Sequence, residues 1–134
     1  MSSRGQWYRV VPMLAVMGTI FFLSHQPGDT IVLPDVPDID KLLHSLVYGI
    51  LAATTLYALP ENRSGTYPVR TGIVVILFCL AYGISDEFHQ SFIPGRCPSI
   101  WDIGADLLGA VVVVFFWLHK KGCRFRCSGS GCRI

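Results

Sequence analysis

Charge is what this chain has least of. Charged residues make up 15% of its 134 residues, against ~25% in soluble proteins. Hydrophobic residues reach 51% before glycine is counted. A soluble domain this small could not bury so much apolar surface, which excludes an ordinary soluble fold. A net charge of +2 excludes a nucleic-acid surface held by charge. Other absences narrow the field further. No small-x-small cleavage site follows the first apolar run, whose exit reads FFLSHQPGD, so Arg4 and Arg9 precede a retained helix and not a signal peptide. The acids of residues 26–40 match no EF-hand spacing. They belong to an extended outer loop broken by Pro27, Pro34 and Pro37. There is no internal repeat, no second domain and no pair of broken helices of the transporter kind. No serine or cysteine nucleophile motif stands out. The cysteines number 5 and match no four-ligand zinc template. Cys123, Cys127 and Cys132 fall in a basic tail, Cys79 inside an apolar run and Cys97 in a loop.

What is present is a set of four apolar runs, residues 7–24, 42–59, 71–85 and 103–118. At 1.5 Å rise per residue, runs of 15–18 residues span ~22–27 Å. A hydrocarbon core of ~30 Å then needs the flanking polar turns to complete each crossing. The reading is an all-α, four-helix transmembrane bundle. Basic residues orient it. With the N-terminus inside, nine of the 11 basic residues lie inside: Arg4, Arg9, Arg63, Arg70, Lys120, Lys121, Arg124, Arg126 and Arg133. Lys41 and Arg96 lie outside. The positive-inside rule therefore predicts N-in/C-in. The transmembrane domain is expected over residues 7–119, and residues 120–134 as a basic, disordered cytoplasmic tail.

The helices are expected to begin and end on recognisable signals. Pro12 sits near the start of the first, where a missing N–H is cheap. Asp40 is the expected N-cap of the second, which ends at Leu59-Pro60. The third is expected over residues 71–90. Ser99 is the expected N-cap of the fourth, with Asp102 three residues on, close to a capping box. That helix is expected to end at His119.

Between the third and fourth runs lies YGISDEFHQSFIPGRCPSIWDIGAD. Ionisable groups this dense beside lipid-length apolar runs are costly and mark a site. Counting rise per residue from Arg70 and from Lys120 places Asp86, Glu87, Asp102 and Asp106 near one level, with Asp106 a turn deeper than Asp102. Lys41, His44 and Tyr48 share a face of the second helix and reach the same level. Asp86, His89 and Gln90 share a face of the third. Asp86, Asp102 and His44 are the candidate acid–base groups. Lys41, Tyr48, Glu87, His89, Gln90, Arg96 and Asp106 are the candidate ligand-binding groups. Arg96 suits a phosphate or carboxylate. The bland alternatives are that Asp40, Ser99 and Glu87 cap helix ends, that Glu87 reaches out to the surface, and that His25 and His119 sit at interfaces without a role. Five carboxylates at one level need compensation. Protonation of Asp106, a bidentate pair from Arg96 to Asp86 or Asp102, and a bound divalent cation are the three remedies. No metal or cofactor is named by the spacing.

SDEFHQSFIPGR followed by SIWDIGADLLGA resembles the signature of the VanZ-like family. DKLLHSLVYGIL is similar to its second-helix motif, and FFLSHQPG to the end of its first helix. The resemblance covers residues 10–114. It maps the family's motif positions onto Asp40, Lys41, His44, Asp86, Glu87, Gln90, Arg96 and Asp102. Family members usually carry Asn where this chain has Asp106. The family's namesake confers low-level resistance to the glycopeptide teicoplanin. The resemblance implies a multi-pass protein of the bacterial inner membrane. Its partners would be membrane lipids, and its ligand a lipid-linked cell-wall precursor or an anionic headgroup at the outer face. A membrane-embedded hydrolase or transferase, and a non-catalytic assembly protein, remain the alternatives.

Overall fold

A computed structural model describes residues 7–28, 38–60 and 66–129, with side chains as far as residue 122. Among them are four helices. They are α1 (Val11–Ser24), α2 (Ile39–Ala58), α3 (Pro68–Gln90) and α4 (Ile100–Gly129), with a 3-10 turn, Trp7–Arg9, ahead of the first. The all-α expectation is met. Residues 29–37 of the expected outer loop and 61–65 of the expected inner turn lie outside the described residues.

The helix boundaries follow backbone chemistry. Pro12 occupies the first turn of α1 and Pro68 that of α3, positions where no intrahelical N–H is lost. Pro68 thus opens α3 ahead of the expected Thr71. In α2 the N-cap is Asp38, not Asp40, and it caps without a side-chain hydrogen bond. Asp38 adopts φ 57°, the left-handed region that aspartate tolerates better than most residues. Asp40 is therefore in the first turn, where an acid favours the helix dipole. The end of α4 also differs from expectation. The helix does not stop at His119 but runs to Gly129, so the basic segment is helical that far. Lys120 and Lys121 are good helix formers, and a polar helix can continue past an apolar span without a breaker.

Three stretches are long and apolar enough to cross a membrane: Trp7–Ser24, Pro68–Gln90 and Ile100–Gly122. The chain is a multi-pass membrane protein. The second run does not qualify by the same measure, against the expectation of four. Lys41, His44, Thr54 and Thr55 dilute its apolar character, and α2 instead packs against all three of the other helices. Tyr48, Leu51 and Ala52 are buried on it, against Val75 and Cys79 of α3 and Ala110 and Val114 of α4. Large apolar side chains such as Phe22, Leu77, Leu108 and Phe115 face outward, the pattern of a bundle solvated by lipid.

The closest packing is between α2 and α4. A Cβ on Gly109 would fall onto the backbone carbonyl oxygen of Ser45, and Gly49 lies opposite the Gly109 carbonyl. Small residues that bring backbones together are the usual glue of membrane helices. Tyr82 fastens α3 to α1 by donating its hydroxyl to the Met17 carbonyl at 2.7 Å. The helices run up and down alternately. The end of α1, the start of α2, the end of α3 and the start of α4 therefore meet at one end of the bundle.

Candidate functional site

That end of the bundle holds two polar halves. The first joins α1 to α3. Ser24, in the last turn of α1, donates its hydroxyl to Asp86 Oδ2 at 2.9 Å, and Gln90 Nε2 donates to the same oxygen at 3.0 Å. The i, i+4 spacing of Asp86 and Gln90 puts both on the face turned to α1. All three residues are buried. Asp86 thus has its charge spread over two donors, the condition for keeping a carboxylate away from water.

The second half joins α2 to α4. His44 Nδ1 lies 3.0 Å from Asp106 Oδ1. Asp106 is 1% exposed, the most buried acid of the cluster. Gly83 makes room for it: a Cβ there would sit 2.8 Å from Asp106 Oδ2 and 3.4 Å from the Tyr48 ring. Asp106 Oδ2 and the Tyr48 hydroxyl are both buried without a hydrogen-bond partner. Nearer the rim, Lys41 Nζ sits 3.0 Å from Asp40, 3.5 Å from Asp38 and 3.9 Å from Asp102. The hydrogen bond between Lys41 and Asp40 holds the Asp40 carboxyl below its usual range and raises the Lys41 ammonium above its own.

Glu87 links the halves in a way the sequence only hinted at. Its Oε2 accepts the Ser99 backbone N–H at 2.8 Å, while Ser99 Oγ accepts the Trp101 N–H at 3.2 Å. Ser99 is thus the cap of α4, as expected. In a capping box the third helical residue would return a carboxylate to the cap's own N–H. Here Glu87 of the neighbouring helix fills that role, and Asp102 is released toward Lys41 and α2. Glu87 is a cap, but a buried one, 4% exposed; it does not reach to the surface.

Two expected members are placed elsewhere. His89 turns away from Asp86. Its Nε2 lies 3.2 Å from His25 Nδ1, and both rings stack with Phe21 at the α1 exit. Arg96 makes no ion pair with Asp86 or Asp102 among the described residues. Its Nε donates to the Gln26 carbonyl at 3.2 Å and a terminal nitrogen to the Leu23 carbonyl at 2.9 Å. Those carbonyls lie where α1 ends, that of Leu23 also accepting the Gln26 N–H at 3.2 Å, and a nearby guanidinium suits them well. With Gly28 N–H donating to the Pro94 carbonyl at 3.2 Å, Arg96 ties the α1 exit to the α3–α4 loop. Ser24 and His25 were not anticipated as partners. The signal was FFLSHQPG, a polar pair closing an apolar run at the same level as Asp86 and His89.

Between the halves lies a cavity of about 110 Å³, room for a few water-sized groups at ~30 Å³ each. Ser24, His44, Tyr48 and Asp86 supply its polar side, and Ile20, Leu23, Leu43 and Val47 of α1 and α2 its apolar side. It can seat a small polar group with an apolar extension leaving between α1 and α2.

The VanZ/LLP1 family model matches residues 9–121. The chain is also 30% identical, over 112 residues, to an uncharacterized protein of Schizosaccharomyces pombe. The alignment takes in 81% of this chain and 65% of that relative, so the chain spans about two thirds of the relative's length. No solved structure matches the chain.

Proposed function

Since the chain belongs to the VanZ/LLP1 family, we propose that it receives the headgroup of a membrane lipid or lipid-linked envelope precursor. The headgroup would enter the polar end of the bundle at the outer face of the cytoplasmic membrane, with both termini inside. The observation that carries this reading is the cavity between α1, α2 and α3. It has Ser24, His44, Tyr48 and Asp86 on one side and aliphatic side chains on the other, at the end of stretches long enough to span a bilayer. A polar head and an apolar tail would both be matched. The Ser24 and Tyr48 hydroxyls can donate or accept while Asp86 and His44 offer acceptors, which suits a headgroup carrying hydroxyl or amine groups. A link to teicoplanin tolerance would then act through that lipid.

The His44–Asp106 pair supports a second reading, an acid–base enzyme, because a carboxylate holding an imidazole is the geometry of an oriented general base. Binding and turnover are separable. Protein purified in mild detergent and examined by native mass spectrometry is expected to retain lipid. Ser24→Ala and Gln90→Ala, which remove the two donors to Asp86, are expected to lose that lipid while staying in the membrane. Full lipid retention by both variants would overturn the headgroup reading. Conversion of the retained lipid to a new mass on incubation would favour the enzyme.

Orientation has its own test. Cys97 is exposed, free and in the α3–α4 loop. In a variant lacking the other cysteines, a membrane-impermeant thiol reagent is expected to label Cys97 from outside the cell. Labelling from the cytoplasmic side alone would reverse the topology.

A further inference from the structure

Three groups come together near the polar end, of which only His44 lines the headgroup cavity. One donor atom from each of His44, Glu87 and Asp102, on three different helices, lies within 4.8 Å of the other two. Acidic groups at that spacing are common without a ligand, but Glu87 and Asp102 each also keep a buried carboxylate oxygen that has no hydrogen-bond partner. Glu87 is 4% exposed and its Oε2 is fixed by the Ser99 N–H. Its Oε1 is buried with no hydrogen-bond partner. A buried carboxylate oxygen without a donor carries a full desolvation penalty. Asp102 Oδ1 is likewise buried and unpartnered, and Lys41 Nζ stands 3.9 Å away, beyond hydrogen-bond reach.

We propose that His44, Glu87 and Asp102 form a divalent-cation site at the junction of α2, α3 and α4. The cation supplies the charge that both unpartnered carboxylate oxygens lack. His44 is already arranged for ligation. Asp106 Oδ1 lies 3.0 Å from its Nδ1, so Nδ1 takes the proton and Nε2 keeps the lone pair. A carboxylate behind a metal-binding histidine fixes its tautomer and strengthens it as a ligand. Glu87 is fixed too, since Ser99 anchors one oxygen and leaves the other to turn inward. Only Asp102 is held loosely, by the distant Lys41, whose ammonium keeps Asp38 and Asp40 as partners when a cation arrives. Ligand distances of ~2.0–2.2 Å put neighbouring donor atoms closer together than 4.8 Å. The three side chains therefore close by small rotations around the ion. One imidazole and two carboxylates suit Zn²⁺ or Mn²⁺, because imidazole favours transition metals over Mg²⁺ and Ca²⁺. The site shares His44 with the neighbouring cavity, but Glu87 and Asp102 are not among the cavity's lining residues, so cation binding can be read in lipid-free protein apart from any headgroup.

The test is a titration of full-length, chelator-stripped protein in lipid-free detergent with ZnCl₂ and, separately, MnCl₂, followed by calorimetry and thermal unfolding. One ion per chain and a raised melting temperature are expected. Glu87→Gln keeps an acceptor for the Ser99 N–H, so it is the variant that holds the fold. It and Asp102→Asn are each expected to weaken binding at least tenfold, as does Glu87→Gln paired with Asp102→Asn, while Asp40→Asn at the rim leaves it within twofold. The zinc X-ray absorption edge is expected to show nitrogen and oxygen ligands only, at ~2.0–2.2 Å. Absence of stoichiometric binding by the parent chain overturns the proposal. So does unchanged affinity in Glu87→Gln, an equal loss in Asp40→Asn, or sulfur ligation at ~2.3 Å, which would assign the ion to the cysteines.

Discussion

Gly109→Leu is expected to remove most of the folded protein. A Cβ at this position would land on the Ser45 backbone carbonyl oxygen. Neither backbone can yield locally, because each belongs to the middle of a helix. The two helices must therefore separate along their length. That pulls Asp106 from His44 and uncovers Leu51 and Ala110. Overpacking typically costs 1–3 kcal/mol and occasionally more; with backbone meeting side chain at the tightest helix pair, about 3 kcal/mol or more is expected. Domains have only about 5–15 kcal/mol in hand. Gly104 provides the contrast on the same helix, since a Cβ there would meet nothing within 4 Å. Gly104→Ala is expected to be neutral or to stabilise by up to ~1 kcal/mol through helix propensity. Unfolding of purified protein by SDS titration, followed by circular dichroism, reads both. A Gly109→Leu midpoint equal to that of the parent chain would show that the α2–α4 contact is not close.

Asp106→Ala is the second large effect, and Asp106→Asn its control. Removing the carboxylate leaves His44 Nδ1 without its partner at 3.0 Å in a place that is 1% exposed. Leaving that donor unsatisfied costs about 1–3 kcal/mol. The alanine also leaves a void beside Gly83 and Tyr48. Asparagine keeps a side-chain carbonyl to accept the His44 N–H. It also removes Oδ2, the oxygen that has no donor, so a cost under ~1 kcal/mol is expected. The comparison is made by thermal unfolding in the same detergent. If asparagine is as damaging as alanine, the pair depends on the charge of Asp106 and not on its acceptor geometry.

The level of the site was legible in the sequence because rise per residue is a fixed quantity. Counting from Arg70 and Lys120 sufficed to place Asp86, Glu87, Asp102 and Asp106 near one height, with Asp106 the deepest. Which residue each group would choose was not legible, because that depends on how each helix is rotated against its neighbours. Asp86, His89 and Gln90 share a helical face in projection, yet α1 lies close enough to divide them. Ser24 takes Asp86 and Gln90; His25 takes His89. Arg96 carries a charge that suggests a carboxylate, but the Leu23 and Gln26 carbonyls at the α1 exit lie within its reach and take its donors. The middle of α2 was read as an ordinary span because apolar residues predominate there. Its Lys, His and Thr residues make it the poorest span of the four. The extension of α4 to Gly129 was hidden because a basic, glycine-bearing segment reads equally well as coil.

The bond from Ser99 to Glu87 bears on how the chain is made. A helix that caps itself can form as soon as its own residues are available. The first turn of α4 has its own cap in the Ser99 hydroxyl, but the N–H of that cap residue borrows its acceptor from the helix synthesised before it. Until α3 is beside it, the start of α4 has an unmet amide, and until α4 arrives, α3 carries a carboxylate facing lipid. Each segment is costly to insert alone, and the cost falls when they enter together. The last two helices are therefore suited to leave the translocation machinery as one hairpin, folded at its tip before it meets α1 and α2.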